Sequence, residues 1–182
     1  MIINILLVVV IILIALILLN YNKLIKQRNQ VKQAESGIDV VLNQRFDLIP
    51  NIVECVKSYS KYESETLDEL VEARTTYKNT NGVDIKTAER INDKFNSILA
   101  VAESYPDLKS NQQYMNLQNR LSEIENKLQN VRNIYNAAVT KYNTTIETIP
   151  SNIVAKMFVF EKAELFKIEE EKRENVNINV NE

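Results

Sequence analysis

Residues 117–142 read LQNRLSEIENKLQNVRNIYNAAVTKY, and this stretch decides the fold. Its apolar members Leu117, Leu121, Ile124, Leu128, Val131, Tyr135, Ala138 and Tyr142 follow one another at alternating steps of four and three. That spacing keeps returning a side chain to one face of a 3.6-residue helix, and here it makes a heptad seam more than three heptads long. A seam this long must be covered in water. Either a second copy covers it in a coiled coil, or other helices of the same chain do.

The rest of the chain supplies such helices. Leu24, Val31, Ala34, Ile38 and Val41 share one face upstream. Ile52, Val56, Tyr59, Leu67, Leu70, Val71 and Tyr77 form a second stripe. Ile85, Ala88, Ile91, Phe95, Ile98, Leu99 and Ala102 form a third. Three other amphipathic faces need partners, which favours bundling within the chain over a homo-oligomer. Two glycines, three prolines and no tryptophan leave too little turn punctuation for a β-sandwich.

The helix limits follow from local chemistry. Pro50 is tolerated in a first turn, so Phe46-Asp-Leu-Ile-Pro50 predicts a break with Asp47 as the cap of a second helix. Whether the chain turns back there or continues as one kinked rod stays open on sequence grounds. Asn81-Gly82 is the clearest turn signal, and Asp84 reads as the next cap. Pro106 disfavours helix at Tyr105, and Ser110 with Gln113 fits a capping box, with Asp107 as the alternative cap.

The N-terminus is of another kind. Residues Met1 to Leu19 are apolar except for Asn4, and apolar on every side. Nineteen residues at a rise of 1.5 Å span roughly 28 Å, close to the hydrocarbon thickness of a bilayer. The Leu, Ile and Val residues of Ile5–Leu19 favour insertion by on the order of 5 to 9 kcal/mol. No basic residue precedes the run, and Leu18-Leu19-Asn20-Tyr21 is a poor cleavage site, so a membrane helix is expected rather than a signal peptide. Lys23, Lys26, Arg28 and Lys32 follow it, which predicts an N-terminus outside and a cytoplasmic C-terminal domain.

The expected fold class is all-α: an N-terminal transmembrane helix followed by an antiparallel up-and-down four-helix bundle. The organisation is an anchor over 1–20, the bundle over 21–149, a C-terminal helix over 150–174 packed on the bundle end or the membrane surface, and a disordered tail over 175–182. The first helix leaves the membrane, so the fourth returns, bringing Ile149-Pro150 near the bilayer.

Several motifs together resemble the LemA family. They are Tyr21 to Val31, Ile38-Asp-Val40, Arg45-Phe-Asp-Leu-Ile-Pro-Asn-Ile-Val53, Thr66-Leu67, Glu72-Ala-Arg74, Ala100 to Leu108, Tyr135 to Asn143 and Ile149-Pro-Ser-Asn-Ile153. They cover about residues 20–166 in order. Glu35, Asn43-Gln44 and the glycine-free Met157-Phe-Val-Phe160 depart from the family pattern. The resemblance implies a bacterial membrane-anchored helical bundle and no catalytic residues.

Chemistry-bearing residues are sparse. Histidine is absent, which removes the commonest general base, zinc ligand and pH switch. Cys55 is the sole cysteine, too far from the N-terminus for acylation and without a histidine to activate it. Glu63, Glu65, Asp68, Glu69 and Glu72 read as a solvated helix face rather than a metal site, and Glu169-Glu170-Glu171 as a solvated helix end. Net charge is −2 with signs interspersed, so no field gathers nucleic acid.

The expectation is a non-enzyme without metal or cofactor. Its partners would be the bilayer, through residues 1–19, and another membrane or membrane-proximal protein, with a homo-oligomer as an option. The candidate interaction residues or structural joint are Arg45, Asp47, Pro50, Asn51 and Arg74. Candidate membrane-surface contacts are Met157, Phe158 and Phe160. The main functional reading is a scaffold at the cytoplasmic membrane face; the alternative is a ligand-sensing or transport-accessory module binding a small molecule between helices.

Overall fold

An apolar run followed by helix-forming polar residues, with neither Gly nor Pro for thirty-six positions, gives the first helix no local reason to stop. The computed structural model describes residues 1–59, 64–78, 85–103 and 105–166. In it α1 runs unbroken from Ile2 to Phe46. It is followed by α2 (Ile49–Tyr59), α3 (Ser64–Lys78), α4 (Ile85–Glu103), α5 (Pro106–Lys109), α6 (Gln112–Glu147) and α7 (Ser151–Met157). The described residues contain no strand. The Asn-Gly turn, the Asp84 cap, Glu169–Glu171 and the tail over 175–182 lie outside them.

At Phe46–Pro50, where the sequence left a turn back and a kinked rod both open, the helix is interrupted only by a turn at Asp47–Leu48 and the rod continues. Helix α2 prolongs α1, so that Ile2–Ser58 forms one long helical run. The Asp47 N–H donates to Asn43 O at 2.9 Å, Leu48 N–H to Arg45 O at 3.1 Å and Ile52 N–H to Leu48 O at 3.1 Å. Hydrogen bonding therefore passes through the joint with one tightened turn. Asp47 is not an N-cap: it is helical (φ −69°, ψ −17°) and closes α1. Proline removes one donor, the one that would have reached Phe46 O four residues back. That carbonyl accepts instead from Arg74 Nε, at 3.0 Å, on α3.

Chain directions follow from named contacts. Helix α3 runs antiparallel to the rod, pairing Asp68 with Lys57, Arg74 with Phe46 O and Tyr77 Oη with Asp39 Oδ1 (3.0 Å). On α4, Lys94 pairs with Glu69 of α3 and Phe95 lies under Arg45. Helix α6 runs antiparallel to α1, with Glu125 opposite Arg45 and Tyr142 packed with Leu24. Its N-cap is Asn111, whose Oδ1 accepts from the N–H groups of Gln113 (2.8 Å) and Tyr114 (3.1 Å). The Ser110–Gln113 capping box and the Asp107 alternative are thereby corrected. Ser110 and Asp107 belong to the α5 turn, where Ser110 Oγ donates to Asp107 O.

The core divides in two. The distal part gathers Ile38, Leu42, Phe46, Ile52, Val56, Leu67, Leu70, Ile91, Phe95, Ile98, Leu117 and Leu128, where the rod, α3, α4 and α6 meet. The proximal part is Leu24, Val31, Val139, Tyr142, Val154 and Ala155, from α1, α6 and α7. Length explains the division. Helix α6 has 36 residues and α3 has 15, which at 1.5 Å per residue are roughly 54 Å and 22 Å. Below Asp39 the faces of α1 and α6 need another cover, and the C-terminal segment provides it.

That segment corrects another expectation. Among the described residues of this segment Ser151–Met157 is helical, and 158–166 is an irregular strap returning along α6. Helix α7 ends in a Schellman geometry: Phe160 N–H donates to Ala155 O (2.9 Å) and Val159 N–H to Lys156 O (3.4 Å). Val159 occupies the left-handed position (φ 53°), where a glycine is usual and a β-branched residue is strained. This is the stretch in which the sequence lacks the family's glycine. The Ile149–Pro150 peptide bond just before α7 is cis.

Two asparagines of α6 hold the strap by its backbone. Asn143 donates to Ala163 O (2.8 Å) and accepts from Ala163 N–H (3.0 Å). Asn136 does the same with Phe166, at 3.0 and 2.8 Å. Seven helical residues rise about 10.5 Å and three extended residues about 10 Å, so the two registers coincide.

Candidate interaction surfaces

The joint residues assemble from three helices. Arg45 is buried where α1 meets α6. Its Nη1 pairs with Glu125 Oε2 at 2.7 Å, and its guanidinium lies 5.8 Å from the centre of the Phe95 ring. Burial pulls it below the ordinary arginine value and the Glu125 carboxylate offsets part of that effect. Asp47 faces outward and accepts at Oδ1 from Lys78 (2.5 Å) and Arg74 (2.9 Å). The Lys78 hydrogen bond holds its carboxyl below the usual range; burial opposes this, and Arg74 adds to the lowering. Arg74 thus bridges the carbonyl orphaned by Pro50 and the Asp47 carboxylate. Asp47, Pro50 and Arg74 therefore meet at the joint, while the Arg45 side chain turns to Glu125 and Phe95.

Asn51 stands apart from them. It lines an open cleft of about 760 Å³ between α2 and the start of α6, with Glu54, Cys55, Asn111, Asn116 and Arg120. Burial, and to a lesser degree Glu54, pushes the Cys55 thiol up, so it stays protonated near neutrality. Among the described side chains, the acidic residues of α3 do not converge on a metal site. Asp68 pairs with Lys57 and Glu69 with Lys94, while Glu72 is exposed. Glu63 lies outside the described residues.

Met157, Phe158 and Phe160 gather at the other end of the molecule. Phe158 and Phe160 pack on Tyr21, with ring centres 4.8 and 5.8 Å away, and Arg28 lies over Phe160. Phe160 is half-buried, whereas Met157 and Phe158 remain exposed, with Ile149, Ile153 and Val159 beside them. The large apolar residues from Met1 to Ile14, together with Leu16, Leu18 and Leu19, are likewise exposed, and this helix is long and apolar enough to cross a membrane.

Sequence reasoning gave Asn136 and Asn143 no role in holding the strap and placed Tyr135 only in the apolar seam; the Tyr135 hydroxyl donates to Glu164 O at 2.9 Å. Burial, then Glu35 and Glu164, raises that hydroxyl above its ordinary range, which keeps it a donor. The available signal was two carboxamides seven residues apart, beside the seam rather than in it.

A model of the LemA family matches residues 34–180. Protein LemA of Metamycoplasma hominis is 25% identical over 160 residues, covering 86% of this chain and 73% of that protein. Magnetosome proteins MamQ 2 and MamQ 1 of Paramagnetospirillum magneticum are each 24% identical, covering 87% of this chain and 68% of theirs.

Proposed function

The chain belongs to the LemA family, and from that premise we propose that it is a membrane-anchored helical scaffold that presents a protein-docking end away from the bilayer. The carrying observation is continuity: the exposed apolar helix and the rod under the distal core are one run, Ile2–Ser58. An anchor joined to its domain without a flexible linker fixes the domain's height and tilt over the membrane, which a scaffold needs and a tethered enzyme does not. We read the rod, α3, α4 and α6 as an up-and-down four-helix bundle whose last helix comes back to the membrane. Basic residues after the apolar run put the bundle in the cytoplasm and the N-terminus outside.

The docking end on this reading is the distal one, where Asn51, Glu54, Asn116 and Arg120 offer adaptable polar contacts. The test uses the full chain in cells. A photo-crosslinking residue at Asn116 should give a discrete adduct that Asn51→Arg abolishes and that a crosslinker at exposed Thr144 does not form. Absence of any Asn116-specific adduct refutes docking there. Cys55 reports orientation: an impermeant maleimide should label it only after cell lysis.

The same cleft favours a second reading, a small-molecule sensor. A ligand that raises the melting temperature of the wild type but not of Arg120→Ala would establish it.

A further inference from the structure

We infer that α7 and the Phe158–Val159 corner form a foot embedded in the headgroup layer of the same membrane that holds α1. The inference rests on the membrane-anchor reading and adds a second, independent lipid contact.

Four observations meet at this point. First, depth: Ile2–Leu19 spans roughly 27 Å, so its end lies at the hydrocarbon boundary. Ile17 and Tyr21, which flank that end, pack against the proximal core to which Val154 and Ala155 of α7 belong. Helix α7 is thus held at the level of the interface. Second, polarity: α7 turns Val154 and Ala155 inward and leaves Ile153 (60% exposed) and Met157 (57%) outward. Ile149 (82%), Val159 (78%) and Phe158 (48%) extend this outer patch. They stay exposed, although Tyr21 packs on one side of Phe158, and apolar patches of this kind mark interaction surfaces. Third, the patch continues the apolar surface of the anchor through Tyr21, an aromatic suited to interface depth. Fourth, lysines flank it: Lys23, Lys26 and Lys156 are exposed and carry no ion pair among the described contacts, beside the carboxylates of Glu147, paired with Lys162, and exposed Glu161. Apolar side chains flanked by lysines fit an interface of acyl chains and anionic headgroups.

A second copy would also cover apolar residues, but the depth argument would then put its protein surface into the headgroup layer. Lipid needs no rearrangement. Two contacts, anchor and foot, stop the rod from swivelling and set its tilt.

The test uses the full chain with Cys55→Ser, reconstituted in vesicles of phosphatidylcholine with a minority of phosphatidylglycerol. Single cysteines at Leu13, Ile153, Met157 and distal Asn116 carry an environment-sensitive fluorophore, quenched in turn by lipids brominated at shallow and deep acyl positions. The expected result is deep quenching at Leu13, blue-shifted emission with shallow quenching at Ile153 and Met157, and none at Asn116. Leu13 quenched with Ile153 and Met157 red-shifted and unquenched overturns the foot and leaves the anchor standing. An unquenched Leu13 overturns the anchor reading itself. Blue-shifted but unquenched labels at Ile153 and Met157 would mean protein covers the patch, and would also overturn the foot.

Discussion

Replacing Arg74 by Ala removes the donor that reaches the Phe46 carbonyl, and the consequence can be worked from the joint. A hydrogen bond from a charged donor contributes about 1.5–3 kcal/mol, and the half-exposed Asp47 pair adds at most about 1 kcal/mol. Arg74→Ala should therefore destabilise the bundle by about 2–4 kcal/mol. The diagnostic is its dependence on Pro50. In Pro50→Ala the backbone N–H returns and takes the Phe46 carbonyl, so Arg74→Ala then loses only the ion pair, about 1 kcal/mol or less. The coupling between positions 50 and 74 should therefore be the hydrogen-bond contribution, about 1.5–3 kcal/mol, in a double-mutant cycle. The assay is urea unfolding of the full chain in detergent micelles, followed by helical circular dichroism, for wild type, both single mutants and the double mutant. Strict additivity would refute the argument that Arg74 replaces a donor missing because of proline.

Other outcomes follow from the same geometry. Asp47 has a depressed folded pKa, so its contribution is present above the unfolded value of about 3.9 and is lost as pH falls through the folded one; Asp47→Asn should flatten the acid limb of stability against pH, seen in melting temperatures from neutral to strongly acidic buffer. Val159→Gly relieves a left-handed β-branched residue and should stabilise by about 1 kcal/mol, with a loss of stability counting against the Schellman assignment. Asn136→Ala with Asn143→Ala deletes four hydrogen bonds to the strap. Limited proteolysis should then cut within 158–166 much faster than in wild type, while the distal core keeps its protection.

What could be read in advance depended on how far apart the determining residues lie. The apolar run is uniform and local, and the seam from Leu117 to Tyr142 repeats along one helix, so both are visible in the sequence. The course of the chain at Pro50 stayed open, because the donor that satisfies the Phe46 carbonyl comes from Arg74, which only folding brings near. The C-terminal segment has enough apolar residues to pass for a longer helix. Its path is set by Asn136 and Asn143, polar residues that resemble any solvated flank until their backbone partners arrive. Asn51 sat in a motif with the joint residues, yet it faces a different surface, since neighbours on a helix point in different directions. The exposed apolar foot was legible as composition, while its level beside Tyr21 needed three dimensions.

The proposed anchor is the apolar first part of a continuous helix, Ile2–Ser58. Alkaline carbonate extraction of native membranes tests this most directly, with intact mass confirming that the N-terminal residues are present. The full-length chain should stay in the membrane pellet at high pH and leave it only with detergent. Release of the unprocessed chain into the carbonate supernatant would contradict it.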